Sequence, residues 1–333
     1  MRNKCRYIIS VILCVVIVLT GTLSCSGNSG DKPTIKLAMA NYFNTWLSTY
    51  ALRENIISSE IVDVKMDLVA DFDIQMQAGR DYPMGAMSTS MFAITCDTGN
   101  LKFKGISTMI VHEGATRQNG VNILYAKADS NINSPADLIG KKVGVPDLTS
   151  SATSVFLGML KQEYGISEDQ LELIPRAIPL LLELLRRGEV DVAMLAGNIS
   201  PRAYVDPSLK VVWNIDKTFT DMYGGVFFPS MLVVEEGYYA ANPDIVREVY
   251  RLLRESNAYG EQHFVELATK YIAEYDQDQT LDFYQMIFNN HSRNNLLPIE
   301  GKTRDALMTT FAMVQTRGFI STLPNPNTVF VTW

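Results

Sequence analysis

The hydrophobic residues of this chain fall in short segments whose spacing alternates between that of a β-strand and that of an α-helix. A first unit predicts a strand at 34–40, a helix at 44–56, a strand at 62–68, a short helix ending at Gly79 and a strand at 83–87. Strands and helices that alternate at this length predict a largely parallel sheet with helices on both faces.

A second unit repeats this order of elements further along the chain. It predicts a strand at 142–146, a helix at 151–164, a strand at 171–174, a helix at 178–187 and a strand at 190–194. The spacing is kept, because Ile35 and Val143 are 108 positions apart and Gly79 and Gly188 are 109 positions apart. The repeat predicts two Rossmann-like α/β lobes of similar plan.

Extended segments connect the two predicted lobes. Apolar stretches at 104–112 and 121–127 lie between the units, and a strand at 231–234 leads back after the second unit. A helical C-terminal third follows from Asn242-Pro243-Asp244, which combines an N-cap residue, a proline and an acid in the first turn, with further helices at 263–275, 280–289 and 303–317. We expect mixed sheets, residues 34–125 and 231–333 in one lobe, 126–230 in the other, and a ligand cleft that closes by hinge motion near 124–127 and 231–234.

The N-terminal residues have the pattern of a secretion signal. Arg2, Lys4 and Arg6 precede an apolar run at 7–19, and small residues then lead to Cys25. The position of Cys25 resembles that of the acylated cysteine of a bacterial lipoprotein, so we expect a signal peptide at 1–24, a lipid on Cys25 and a tether at 25–33. The alternative is an uncleaved anchor, for which the run is short of the ~20 residues of a membrane span. Both alternatives place the rest of the chain outside the cytoplasm.

The composition of the chain argues against several classes of function. Without the three leader cations, 26 Lys and Arg stand against 36 Asp and Glu, a net charge near −10 with no basic stripe, which argues against nucleic acid as a partner. Cys5 and Cys14 lie in the leader, so with Cys25 acylated only Cys96 remains, and neither a disulfide nor a metal cluster is predicted. The sequence also has no nucleophile elbow and no phosphate loop.

Three motifs resemble one group of binding proteins. The segment Ser134-Pro-Ala-Asp-Leu-Ile-Gly-Lys-Lys-Val-Gly-Val145 resembles the start of the second lobe in the nitrate/sulfonate/taurine and thiamine-precursor group of periplasmic solute-binding proteins, and the segments at 187–193 and 242–246 resemble later steps of the same group. The resemblance implies the type II periplasmic-binding-protein fold. It further implies a monomeric, non-enzymatic component of an ABC importer, with a small solute, a permease and its ATPase as partners and no cofactor.

Ligand contacts are predicted where strands end and helices begin in each lobe. Backbone N–H groups and the positive end of the helix dipole lie at such places, which favours a small organic anion, such as a sulfonate or a taurine-like solute, or nitrate. The predicted ligand-binding residues are Asn41, Tyr42, Asn44, Trp46, Ser88, Thr89, Ser90, Thr149, Ser150, Ser151 and Asn198. The alternative for the hydroxyls and amides is ordinary helix capping. Tyr42 and Trp46 either stack on a planar ligand or pack in the core, and Arg117 pairs with an anion or is an exposed loop residue.

Two other functions stay open from the sequence. A ligand-sensing lipoprotein that signals to a membrane receptor would have the same binding lobes. The group that the chain resembles also includes proteins that bind or synthesise thiamine-pyrimidine precursors, but the synthetic enzymes depend on a cysteine-rich motif that has no counterpart here.

Overall fold

The computed structural model describes residues 32–70, 73, 81–99, 102–111, 120–197, 199–290 and 293–332. The predicted signal peptide with Cys25, the helix ending at Gly79, Arg117 and Asn198 lie outside these residues.

Strands and helices alternate along the described chain, as the sequence pattern predicts. The strands are β1 Thr34–Ala40, β2 Asp63–Val69, β3 Met84–Ser88, β4 Phe103–Thr108, β5 Ile110–Val111, β6 Ile123–Lys127, β7 Lys142–Val145, β8 Glu172–Pro175, β9 Val192–Leu195, β10 Leu209–Asn214, β11 Ser230–Glu235 and β12 Arg293–Asn294. The α-helices are α1 Phe43–Arg53, α2 Thr89–Thr98, α3 Ser151–Tyr164, α4 Ile178–Arg187, α5 Ile199–Tyr204, α6 Ile215–Tyr223, α7 Glu236–Ala241, α8 Pro243–Gln262, α9 Phe264–Tyr275, α10 Leu281–Asn290, α11 Gly301–Thr316 and α12 Pro326–Val329.

The main strands form two mixed sheets of five, one in each lobe. The first sheet has the order β2-β1-β3-β11-β4 and the second has the order β10-β6-β9-β7-β8. In the first sheet β1 pairs in parallel with β2 and β3, and in the second β7 pairs in parallel with β8 and β9. The two units predicted from the internal repeat therefore fold by the same plan, and the predicted fold class is confirmed.

Each sheet is completed by a strand from a connecting segment. Strand β11, which follows the second unit, returns to pair antiparallel with β3 and β4, and β6, which precedes the second unit, pairs antiparallel with β9 and β10. The chain thus crosses between the sheets twice, as expected. The boundaries of the lobes remain a prediction, and the strand β6 that contains the predicted boundary at 125/126 lies wholly in the second sheet.

Three elements of the second unit were missed from the sequence. Strand β10 and helices α5 and α6 fill residues that the hydrophobic pattern left as connections. Strand β10 pairs only at the edge of its sheet, and its burial does not alternate cleanly, so its sequence lacks the two-residue period of a half-buried strand.

The C-terminal helices pack on the first sheet and between the lobes. One face of that sheet, including Leu37 and Leu232, packs against α8, while α11 lies between α2 and α3 through residues such as Phe311. Two glycines permit the close approaches. A Cβ at Gly260 of α8 would overlap the carbonyl oxygen of Leu47 in α1, and one at Gly158 of α3 would lie 2.9 Å from Met313 of α11.

A buried carboxylate holds the start of β6 in place. Asp216 of α6 is 4% exposed, and its Oδ2 atom accepts hydrogen bonds from the backbone N–H groups of Val121 and Asn122. Its Oδ1 atom accepts a third hydrogen bond, 2.9 Å long, from the side-chain amide of Asn122. The segment that enters the second sheet is therefore fixed to the start of α6.

We predict that Asp216→Ala lowers the free energy of unfolding by about 3 kcal/mol, because it leaves buried N–H donors without an acceptor. The control is Asp221→Ala on the same helix, whose exposed carboxylate pairs with Lys217 and whose loss should change that free energy by about 0.5 kcal/mol or less. Urea denaturation measures both variants. Equal effects of the two would contradict the structural role of Asp216.

Candidate ligand-binding cleft

A cavity of about 840 Å³ lies where strands of both sheets end and the next helices begin. The first lobe contributes Asn41 and Tyr42 between β1 and α1, Ala70 after β2, and Ser88 between β3 and α2. The second lobe contributes residues from the corresponding places: Pro146, Asp147, Thr149 and Ser150 between β7 and α3, Ala177 before α4, and Ala196 and Ile199 around the start of α5. All four loops in which ligand residues were predicted supply part of this lining.

The hydroxyl groups at two of these helix starts are helix caps. Ser88 is the N-cap of α2 and accepts a hydrogen bond from the backbone N–H of Met91, and Ser150 is the N-cap of α3 and accepts one from Thr153. Both serines also line the cavity. The capping alternative therefore holds for these residues, and ligand contact stays a prediction for them.

Two carboxylates lie beside the same helix starts. Asp73 Oδ1 accepts a hydrogen bond of 2.7 Å from the backbone N–H of Ser88. Asp147 Oδ1 accepts hydrogen bonds of 2.6 Å from both the backbone N–H and the hydroxyl of Thr149. Both aspartates line the cavity, so the protein's own negative charges already stand at the amino ends of α2 and α3.

Three predicted hydroxyl residues are buried and join the two lobes rather than lining the cavity. The backbone N–H of Ser90 donates a hydrogen bond of 2.9 Å to Ser151 Oγ, which in turn donates to the carbonyl of Pro229 over 3.1 Å. The Thr89 hydroxyl donates to the carbonyl of Phe228 over 2.6 Å. These contacts hold the starts of α2 and α3 together and anchor both to the segment before β11.

The two other predicted residues of the first loop lie in the core. Asn44 is 3% exposed and Trp46 is 4% exposed. The Trp46 ring packs against Tyr50, Tyr271 and Tyr275 at centroid distances of 5.1, 5.2 and 6.2 Å. Of the two alternatives for Trp46, the structure has the ring packed in an aromatic cluster, whereas Tyr42 faces the cavity.

Sequence reasoning missed the part of the cleft that the C-terminal helices supply. Tyr271, Tyr275, Asp276, Phe283 and Tyr284 all line the cavity, as does Arg202 of the second lobe. Tyr271 and Tyr275 are four positions apart on one helix, and this spacing was the available signal. No pattern in the sequence indicates which sheet end this helix would face.

An ion pair connects the second lobe to the C-terminal helices at the cavity. Arg202 Nη2 of α5 lies 2.7 Å from Asp276 Oδ2, and the guanidinium carbon lies 5.9 Å from the centre of the Phe283 ring. The hydroxyl of Tyr284 donates to the same carboxylate oxygen over 2.5 Å. Burial and this neighbouring carboxylate raise the pKa of Tyr284, so the phenol stays protonated and acts as a donor.

The described residues also show the state of the Cys96 thiol and the arrangement of potential metal ligands. Burial raises the pKa of the Cys96 thiol to about 12, so it is protonated and a poor nucleophile at neutral pH. No group of three or more His, Cys, Asp or Glu residues in the described ranges is arranged to hold a metal ion. Among those same residues no helix is long and apolar enough to cross a membrane.

A family model described as NMT1/THI5 like matches residues 71–263, more than half of the chain. A 4,5-dihydroxyphthalate decarboxylase from Comamonas testosteroni is 32% identical over 92 residues, 28% of this chain and 26% of the enzyme. The match thus spans about a quarter of the enzyme's length.

Solved structures share the fold over most of the chain. The periplasmic aliphatic sulphonate binding protein SsuA of Escherichia coli has a TM-score of 0.72 at 11% identity, covering 90% of this chain and 97% of that one. The alkanesulfonate-binding protein SsuA of Xanthomonas axonopodis pv. citri, bound to MOPS, has a TM-score of 0.72 at 11% identity, and the match covers 90% of this chain and 99% of that one. Protein AF1704 of Archaeoglobus fulgidus has a TM-score of 0.68 at 17% identity, and the match covers 86% of this chain and 98% of that one. The fold is that of the periplasmic binding proteins.

We predict different stability effects for two neighbouring hydroxyls of the cleft. Ser151→Ala leaves the Ser90 N–H and the Pro229 carbonyl without their partner and should lower the free energy of unfolding by about 1–2 kcal/mol. Thr149→Ala removes a half-exposed hydrogen bond to Asp147 and should cost about 0.5 kcal/mol or less. The midpoints of urea unfolding compare the two variants, and a larger loss for Thr149→Ala would contradict the lobe-joining role of Ser151.

Proposed function

Because the chain belongs to the NMT1/THI5-like family, we propose that it is the solute-binding component of an ABC importer, which captures a small molecule by closing its lobes. The observation that carries the proposal is the cavity between the strand ends of the two sheets. Open α/β sheets bind ligands at the carboxyl ends of their strands. A volume of about 840 Å³ also suits one small solute.

The connections between the sheets support closure by hinge motion. Two crossings, β4 to β6 and β10 to β11, carry the chain between the lobes, and a few residues within such connections can absorb the rotation of a hinge. On the cavity side, the pair of Arg202 and Asp276 joins the lobes, and Gly197 of the second lobe lies close to the Tyr42 ring of the first. We propose that these contacts form when the lobes close.

The proposed location is outside the cytoplasm, with a lipid anchor. The cationic, apolar and small-residue order of the leader supports export, and Cys25 supports acylation. A lipid tether would keep the protein near its permease and raise its effective concentration there. The energy for transport would come from the ATPase of the importer, so the binding protein needs no cofactor.

An enzyme is the second candidate, because a decarboxylase is among the relatives. The likeness covers about a quarter of that enzyme, and Cys96 is poorly suited as a nucleophile, so we favour binding without turnover. A sensor lipoprotein would use the same cleft. The ligand predicted from the sequence is a small organic anion, and sulfonate-binding relatives of the same fold give reason to test sulfonates.

We predict that a solute from a panel of taurine, alkanesulfonates, nitrate, phthalates, pyrimidines and carboxylates raises the melting temperature of the full-length protein in detergent. A ligand at about 100 times its Kd adds roughly 2.7 kcal/mol to the stability of the folded protein. Titration calorimetry then gives the Kd, and product analysis of the mixture tests for turnover. A consumed solute would favour the enzyme, whereas a solute recovered intact would support binding.

Arg202→Ala should weaken binding of that solute roughly fivefold, because it removes the ion pair with Asp276 and with it about 1 kcal/mol of the free energy that stabilises the closed lobes. The control is Arg186→Ala, which breaks a pair with Asp206 inside the second lobe and should leave the Kd unchanged. Equal Kd values for the two variants and the unaltered protein would contradict closure across the pair of Arg202 and Asp276.

We further predict that the full-length chain expressed in a bacterium incorporates labelled palmitate at Cys25 and sediments with membranes. Cys25→Ser should lose the label, and the control Cys96→Ser should keep it, because the Cys96 thiol lies half-buried within the fold. Gel fluorography of the membrane fraction measures both. Label that persists in Cys25→Ser would exclude this cysteine as the lipid site.

A further inference from the structure

We infer that Arg317 is a positioning residue of the cleft, which holds the cavity loop (residues 146–150) in place from outside the cavity. The inference rests on the proposed solute-binding function, because this loop supplies Asp147, Thr149 and Ser150 to the lining. Arg317 itself is not among the described lining residues. It comes directly after α11, in the C-terminal part of the chain.

The cavity loop has few anchors of its own. Residues 146–150 lie between a buried strand end and a buried helix start, and none of them is itself buried. The apolar side chain of Leu148 is 38% exposed. The hydrogen bonds that Asp147 makes with Thr149 and Ser150 lie within the loop. Segments with few buried apolar contacts open easily, so contacts from outside the loop should decide its position.

Arg317 supplies a contact of this kind. Its Nη1 atom donates a hydrogen bond to the carbonyl oxygen of Leu148, a residue 169 positions away in the chain. The same atom donates over 3.2 Å to the hydroxyl of Ser154, in the first turn of α3. Hydrogen bonds from a charged donor are stronger than those between neutral groups. One guanidinium nitrogen therefore holds both the cavity loop and the helix that follows it.

The guanidinium is itself fixed by further contacts. Its Nε and Nη2 atoms donate to the two carboxylate oxygens of Glu168, between α3 and β8, over 3.2 and 3.0 Å. A two-point pair of this kind sets the orientation of a guanidinium as well as its position. The centre of the Phe319 ring lies 4.6 Å from the guanidinium carbon, and the arginine side chain is only 7% exposed. Arg317 therefore presents Nη1 to the cavity loop in a fixed geometry.

The turn at 317–322 connects this arginine to the first lobe. Asp97, in the last turn of α2, accepts hydrogen bonds of 2.9 and 3.1 Å from the backbone N–H groups of Ser321 and Thr322. These bonds, that from the Ser321 N–H first, hold the pKa of Asp97 below its usual value. Ile320, in the middle of the turn, is 3% exposed and belongs to the hydrophobic core. A cavity loop of the second lobe is thus held by a turn that is fixed to the first lobe.

Hydrogen–deuterium exchange of the full-length protein in detergent tests the role of Arg317 without a solute. In Arg317→Ala the backbone N–H groups of residues 148–153 should exchange about tenfold faster, because the cavity loop and the start of α3 open more often. Arg317→Lys keeps a cation that can donate to Leu148 and should exchange more slowly than Arg317→Ala. The control is Arg304→Ala, on α11, whose side chain is 43% exposed and whose loss should leave this exchange unchanged.

A second pair of variants tests the connection through the turn. Asp97→Ala removes the acceptor of the Ser321 and Thr322 N–H groups and should speed exchange of residues 148–153 about threefold. The control is Asp305→Ala, which removes a carboxylate that is 75% exposed on α11. Exchange in strand β1, in the core of the first sheet, reports any change in global stability and separates it from local opening of the loop.

The consequence for binding is measured with the solute panel named above. For a panel solute that raises the melting temperature, Arg317→Ala should increase the Kd about fivefold, because a loop that has become mobile must be ordered when the solute binds. Arg304→Ala should leave that Kd unchanged.

Equal exchange of residues 148–153 in Arg317→Ala and Arg304→Ala would overturn the positioning role. A faster exchange that is equally large in β1 would also overturn it, because the variant would then have lost global stability. A Kd that is unchanged despite faster exchange of the loop would likewise overturn it. Unchanged exchange in Asp97→Ala would contradict the connection to the first lobe. Failure of every panel solute to bind would count against the solute-binding function, while the exchange rates would still decide whether Arg317 holds the loop.

Discussion

Each sheet of this protein depends on antiparallel pairing with a strand that belongs to a connection between the lobes. Strand β3 of the first unit is covered on its open edge by β11, and β9 of the second unit is covered by β6. Without these strands, the three parallel strands of each unit would expose a buried edge to water. Each five-stranded sheet therefore includes strands from outside its own repeat, and the connections that supply these strands also link the two sheets.

The same topology fixes where chemistry can occur. Parallel strands joined by helices bring all their carboxyl ends to one edge, and here both edges border one cavity. Ser90, Ser151 and Pro229 then hold two helix starts in direct contact, which places the nearby capping residues at the cavity wall. The hydroxyl residues at these helix starts thus fall into two groups. The buried ones join the two lobes, and the more exposed ones line the cavity.

The fold was predictable because its signals are local. Gly188 ends α4 with a positive φ of 76°, and Pro243 begins α8, as their positions in the sequence indicate. The spacing of hydrophobic residues also predicted the bounds of the interior strands β1 and β7 to within one residue. Burial of individual hydroxyls was not predictable, because Thr149 and Ser151 read alike in sequence while one lines the cavity and the other lies between two helix starts. That difference depends on contacts with residues 61 or more positions away.

The residues that distinguish this cleft lie mainly where the internal repeat has no counterpart. The repeated loops supply mainly small side chains and capping groups, together with Tyr42 and Asp147. Tyr271, Asp276 and Tyr284 come from C-terminal helices that only the first lobe carries, and Gly260 allows α8 to hold α1 close to them. Arg202 reaches this group from the second lobe. The two sheets are therefore built on a repeated plan, whereas most aromatic residues of the cavity come from the helices at 264–290, which have no counterpart in the repeat.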